Sequence, residues 1–278
     1  MVQRAAKDAG ATRDRQGGPE RGELGNRSLA QIRLGAMTLI RNMGEFSPAA
    51  AMFVQDGAEA HEPTRRMGLT REQALDLITQ VAQSMGANAS YARIIRGAAD
   101  VFGAEGFEEP GVERILEASG VSRRTFYQFF RNKWEVLGAH HELVSAVWLE
   151  VVRLALDFDI PAEEKLRRVV RVYVSAFALA GWFFRVVITE AMRRHSPLAG
   201  HHDRFQTSLT DLVHPIVEEA AGHPVSPLMV RCQLGALLGI AIDQGLCPDT
   251  DRNRLQQVEE VMFSIMMAPL QELPETAG

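Results

Sequence analysis

Fifteen residues, Ser119 to Lys133 (SGVSRRTFYQFFRNK), constrain the fold more than any other stretch of this chain. Gly120 suits the left-handed backbone conformation that ends a helix. Ser122, two residues on, is a helix-capping residue whose hydroxyl can accept from the free amides of the next helix. The spacing therefore predicts two helices joined by a short, rigid turn. Beyond the turn, Phe126, Phe129 and Phe130 recur at helical spacing and can be buried together, leaving Arg123, Arg124, Thr125, Tyr127 and Gln128 facing outward. Arg131 and Lys133 extend that outward surface.

The charge of this stretch runs against that of the whole. Arg123, Arg124, Arg131 and Lys133 are four basic residues with no acidic one among them, whereas the 278-residue chain carries a net charge of -5 and a sequence pI near 5.9. That balance alone does not suggest nucleic acid, and a local positive patch on an acidic protein favours a discrete docking site over general stickiness. A run of charge is more often a solvated helix face, but this one follows a turn built to present it.

With 46% hydrophobic residues the chain is long and apolar enough for two domains with cores of their own. Its most apolar run, Val172 to Phe184, is bracketed by Arg171 and Arg185 and is shorter than the roughly 17–25 residues a bilayer span needs, so no membrane helix is expected. The N-terminus carries Arg4, Lys7, Arg13 and Arg15 without an apolar segment, unlike a secretory signal, and the expected location is the cytoplasm. Two cysteines, Cys232 and Cys247, exclude a disulfide framework and a CxxC pair.

Residues 1–27, nearly free of large apolar groups, read as a disordered tail. Residues 28–89 form a helical extension of unknown role: one helix over Ser28–Met43, ended by Gly44 and Pro48, and a second opening at Thr70, which makes a capping box with Gln73 and carries Ala74, Ile78, Val81 and Met85 as its stripe. Helices follow over Tyr91–Gly103, from Pro110 to Gly120, over the segment after Ser122, and from Lys133 to about Leu156 behind an Asn132 cap. After Pro161 the apolar stretches 162–180, 182–194, 203–221, 227–245 and 251–270 are divided at Gly181, Ser196-Pro197, Gly222, Pro224 and Cys247-Pro248. No strand-like alternation occurs, so the chain is expected to be all-α. The run Leu234–Ile242 is apolar all round, which suits burial between helices or between subunits.

Residues Ala92 to Leu137, with the first-helix pattern RIIRGAADVFGAEGF, the GVS turn, the TFYQFF helix and the NKWEVL start of the next, resemble the DNA-binding domain of the TetR family of transcriptional regulators. The resemblance covers about a sixth of the chain. It implies a three-helix helix-turn-helix domain over 90–137 and a helical effector-binding and dimerisation domain over 138–278. It implies that Ser122 to Phe129 enters the major groove of double-stranded DNA, with Arg123, Arg124 and Gln128 at base edges, Tyr127 and Lys133 at phosphates, and Thr125 at backbone or base. Two departures stand out: Pro110-Gly111 replaces the usual Thr or Ser before the second helix, and Phe129 replaces a common His, removing polar contacts to the DNA backbone.

The resemblance further implies a homodimer through the last two helices, about 227–245 and 251–270, an inverted-repeat operator, and release of DNA when a ligand favours another arrangement of the readers. Trp148, Phe158, Tyr173, Phe177, Trp182, Phe183 and Met192 concentrate apolar surface in the middle helices and are the candidate lining for a small hydrophobic effector. The competing expectation is a constitutive DNA-bound dimer, or a protein-interaction adaptor using the N-terminal extension; Met67 or Met85 is an alternative start. No catalytic role and no cofactor is expected, since GxSxG, GxGxxG and GxxxxGK[ST] are absent. His141-Glu142 begins like a zinc-protease motif, but Ser145 stands where the second histidine belongs. His195, His201 and His202 read as solvated side chains near a helix connection, and no metal is expected.

Overall fold

A computed structural model of the chain describes residues 28–43, 70–193, 195–244 and 251–268. Among them are ten α-helices and no strand: α1 (Leu29–Met43), α2 (Arg71–Ser84), α3 (Ala89–Glu105), α4 (Val112–Ser119), α5 (Arg123–Phe129), α6 (Lys133–Leu156), α7 (Ala162–Met192), α8 (Ala199–Ala221), α9 (Pro227–Asp243) and α10 (Arg252–Met267). The tail 1–27, the expected helix stop at Gly44 and Pro48, and Cys247-Pro248 lie outside the described residues.

Helix starts follow from side chains that replace missing amide partners. Thr70 Oγ1 accepts from the Gln73 amide at 3.3 Å while Gln73 Oε1 accepts from the Thr70 amide at 2.8 Å, the reciprocal capping box. Asn88, Ser122, Asn132 and Asp251 cap α3, α5, α6 and α10 in the same way. At α4 the cap residue is Gly111, which has no side chain to offer, and this helix begins at Val112 rather than at Pro110.

The break expected at Gly181 does not occur. Helix α7 runs for 31 residues, about 46 Å, through that position. An interior glycine costs roughly 1 kcal/mol relative to alanine, too little to interrupt a helix whose Val169, Tyr173, Phe177, Phe183 and Val187 are all buried. Helix α8 likewise begins earlier than expected, at Ala199, and continues through Pro215.

One continuous buried cluster extends from Ala36 in α1 to Met266 in α10. Helices α1 and α2 belong to it: α1 packs on α2 and α6, and α2 packs on α3. The long α7 touches α3, α6, α8, α9 and α10, so it is the strut on which the small N-terminal bundle and the larger C-terminal one are assembled.

Candidate nucleic-acid interface and adjoining cavity

The turn that the sequence predicts is formed. Gly120 adopts φ 61°, ψ 26° and its amide donates to Leu116 O at 3.0 Å, closing α4 in the left-handed conformation that glycine tolerates best. Ser122 Oγ accepts from the Thr125 amide at 3.1 Å and sits 2.8 Å from Thr125 Oγ1. Helix α3 approaches the turn so closely at Gly97 that a Cβ there would meet the Ser119 amide nitrogen at 2.8 Å. Phe126, Phe129 and Phe130 are all buried. The Tyr91 ring of α3 lies 5.7 Å from Phe129 and 5.3 Å from Phe130, tying the first helix of the bundle to the end of α5. With that face buried, Arg123, Arg124, Tyr127 and Gln128 are exposed and Thr125 is half-buried.

The cations of this face are not equally available. Arg123 is ion-paired to Glu113 of α4, a contact between two largely exposed side chains that a stronger anion can displace. The Arg131 amide donates to Glu135 Oε2 at 2.7 Å and its Nε lies 3.8 Å from the same carboxylate. Lys133 Nζ donates to Phe107 O and Glu108 O at 2.7 Å and to Pro110 O at 3.1 Å, and stands 4.6 Å from the centre of the Phe107 ring. An ammonium has three N–H donors, and all three are used. Lys133 therefore clamps the α3–α4 loop and, as it stands, does not extend the basic surface; the expected phosphate contact would require it to leave these carbonyls. Arg124 and Gln128, by contrast, have no hydrogen-bond or ion-pair partner among the described residues.

A seven-residue helix with guanidinium and amide groups outward, held on a rigid turn by an aromatic core, is a helix-turn-helix reader. The arrangement is that of a DNA-binding regulator of transcription. Residues 94–139 match the family described as bacterial regulatory proteins, tetR family. No curated protein matches the chain. Its fold is similar to a solved structure titled "Structural analysis of fatty acid degradation regulator FadR from Bacillus halodurans", with a TM-score of 0.57, 18% sequence identity, and coverage of 66% of this chain and 98% of that one.

Contacts from α6 and α7 are among those that join the reader to the rest of the molecule. Lys133, at the start of α6, holds the α3–α4 loop, and Arg193, just past the end of α7, pairs with Glu108 of the same loop. His140 of α6 is fully buried, donates from Nε2 to Ile95 O of α3 at 2.6 Å, and packs its ring 4.5 Å from Phe183 of α7. Burial pushes His140 down to about 4, so its imidazole is neutral and carries its proton on the nitrogen facing that carbonyl.

One turn further along α6 a cavity of about 50 Å³ opens between α6, α7, α8 and α9. It is lined by Val144, Trp148, Tyr173, Phe177, Val187, Ile188, Phe205 and Leu238, with His141, Ser145, His202 and Gln206 at its polar end. Of the expected lining residues, Trp148, Tyr173 and Phe177 meet here, the Trp148 ring 5.0 Å from Tyr173 and 6.4 Å from Phe177. Phe183 is buried against His140 instead. Phe158 lies in the loop after α6 with the Arg168 guanidinium 4.1 Å from its ring centre, and Met192 is 63% exposed at the end of α7. Those three lie off the cavity because helical phase and chain position, rather than apolar character, decide which side chains meet. The Trp182 side chain is outside the described residues.

The polar end is what the sequence reading missed. His141 Nδ1 lies 3.2 Å from Ser145 Oγ, His141 Nε2 lies 3.4 Å from His202 Nδ1, and Gln206 Nε2 lies 3.3 Å from His202 Nε2. Burial, helped by the neighbouring His202, pushes His141 down to about 4, and burial lowers His202 as well. The signal was present: His141, Ser145 and Trp148 share one face of α6 and His202, Phe205 and Gln206 one face of α8. Among the described residues no group of three or more His, Cys, Asp or Glu side chains could hold a metal ion, and no helix is long and apolar enough to cross a membrane.

Proposed function

We propose that the chain is a ligand-responsive repressor that binds an inverted-repeat operator as a homodimer. The observation that carries this reading is the course of α6: its first residue clamps the reader's loop, and its third to fifth turns form a wall of the cavity. A molecule that enters beside Trp148 pushes on the helix that positions α5. The apolar lining supports a hydrophobic effector, and the regulator of similar fold is by its title concerned with fatty acid degradation.

In this reading Arg124 and Gln128 address base edges, Arg123 exchanges Glu113 for DNA, and Tyr127 and Thr125 meet the backbone. Two such readers on a twofold axis would meet major grooves about 34–36 Å apart. The self-association is assigned to α9 and α10. Leu228, Cys232, Gly235, Ala236 and Gly239 of α9 are exposed, as is Val261 of α10, so small and apolar groups fall on the outer surface, where a second copy can approach closely. One observation favours the competing reading of a constitutive DNA-bound dimer: at about 50 Å³ the cavity is well below the roughly 300–1,000 Å³ of ordinary ligand pockets, so an effector has to open it.

Footprinting on the DNA flanking the protein's own gene, with and without apolar candidate effectors, separates the two. Ligand-dependent loss of a twofold-symmetric footprint supports the repressor. A footprint that no effector changes favours the constitutive dimer, and no footprint at low salt removes both.

A further inference from the structure

We propose that the polar end of the cavity selects an uncharged effector with an aliphatic or aromatic body and one hydroxyl group, seated with that hydroxyl donating to Gln206. This rests on the effector reading above and names the chemical class of its ligand.

The argument starts from the direction of a hydrogen-bond chain. Gln206 Nε2 is only a donor, so His202 Nε2 accepts at 3.3 Å. A neutral imidazole has one N–H, so His202 carries it on Nδ1 and donates to His141 Nε2 at 3.4 Å. His141 in turn carries its proton on Nδ1 and donates to Ser145 Oγ at 3.2 Å. The chain thus uses Gln206 Nε2, His202 and His141 in one consistent order, and it leaves Gln206 Oε1 over. That oxygen is buried without a hydrogen-bond partner among the described residues, on a side chain whose residue is 7% exposed and which lines the cavity. A buried acceptor left unpaired destabilises the fold that holds it, and a donor arriving with a ligand removes that defect.

The same geometry discriminates against an acid. His141 and His202 are held neutral by burial and provide no cation for a carboxylate. Arg231, whose charge bears on His202, is paired with Asp203 at 2.5 Å, and Arg204, whose charge bears on His141, turns its guanidinium to His201 Nδ1 at 3.2 Å. A carboxylate beside Gln206 would set oxygen against oxygen in a desolvated place, whereas an alcohol presents the missing hydrogen. The remainder of the wall, from Val144 through Phe177 to Leu238, accepts only an apolar body. Ile188 and Phe205 are only partly buried and are among the lining side chains with the most freedom to swing aside as the ligand enters.

The test uses three probes of nearly the same shape on the full chain: 1-hexanol, methyl pentyl ether and hexanoate, titrated by calorimetry at neutral pH. The expected result is that hexanol binds at least about tenfold tighter than the ether, with hexanoate weaker than either. Gln206→Met should erase the difference between hexanol and ether while ether binding stays. The variant removes the unpaired acceptor and also the donor to His202, so its folding is checked separately, by a circular-dichroism spectrum matching that of the parent. Ether binding as tightly as hexanol, or hexanoate binding best, overturns the donor selection and leaves the effector cavity standing. If none of the three binds or alters operator affinity, the cavity reading and this inference fall together.

Discussion

Lys133→Met separates a clamp from a DNA contact. Each of the three hydrogen bonds from the Lys133 ammonium to Phe107, Glu108 and Pro110 joins a charged donor to a carbonyl, a class worth about 1.5–3 kcal/mol apiece. The site is only partly buried and the three bonds share one group, so the sum is far from additive and a loss of about 3 kcal/mol is expected. For a chain of this size about 2–4 °C of melting temperature accompanies each kcal/mol, which gives a fall of roughly 6–12 °C by circular dichroism. Operator binding by fluorescence anisotropy between about 50 and 200 mM salt supplies the second readout. A lysine on a phosphate contributes about 0.9 to the slope of log K against log salt, and a lysine committed to carbonyls contributes nothing. The expected result is therefore a large thermal loss with an unchanged salt slope. An unchanged melting temperature with a slope lower by about one unit would show that the ammonium leaves the loop for DNA, and the clamp argument would be wrong.

Arg124→Ala should relax preference at one operator position by about 1–3 kcal/mol, measured by competition with single-position operator variants; uniform weakening across all of them would assign Arg124 to the backbone instead. Gly97→Ala drives a methyl to within 2.8–3.0 Å of Ser119 backbone atoms and should lower stability by roughly 1–3 kcal/mol in urea titrations, with operator affinity falling alongside. His140 is held near 4 against an ordinary value of 6.5 by burial. Its neutral form therefore contributes fully above pH 6.5, and that stability is lost as pH falls towards 4, at up to about 1.4 kcal/mol per pH unit. His140→Phe should flatten the dependence of the urea midpoint on pH across that window, and parallel curves for variant and parent would count against the burial argument. Gly239→Arg, on the exposed side of α9, should yield monomers in sedimentation experiments; an unchanged dimer moves the twofold interface elsewhere.

Local chemistry was legible in the sequence wherever one residue type has one job. Thr70 with Gln73, Asn132, Gly120 and Ser122 each marked a helix end found within a residue or two, because caps and left-handed turns are decided by a few neighbours. The aromatic side of α5 was equally legible from spacing. Gly181 misled because helix continuity across it depends on buried partners far along the chain. The lining of the cavity was read from apolar composition, which recovered Trp148, Tyr173 and Phe177 but not the His141–His202–Gln206 chain, since that chain exists only once α6 and α8 lie side by side. Lys133 looked like part of a basic patch because no sequence shows that three carbonyls converge on one ammonium.

The first helix shields a charge on α6. Arg33 of α1 stands 3.9 Å from Glu150, a carboxylate on α6 that is almost wholly enclosed and also meets Arg153 at 2.5 Å, and Ala36 and Ile40 of α1 are buried in the common core. Translation begun at Met67 or Met85 would omit α1, wetting Glu150 on the stretch of α6 that also bears Ser145 and Trp148.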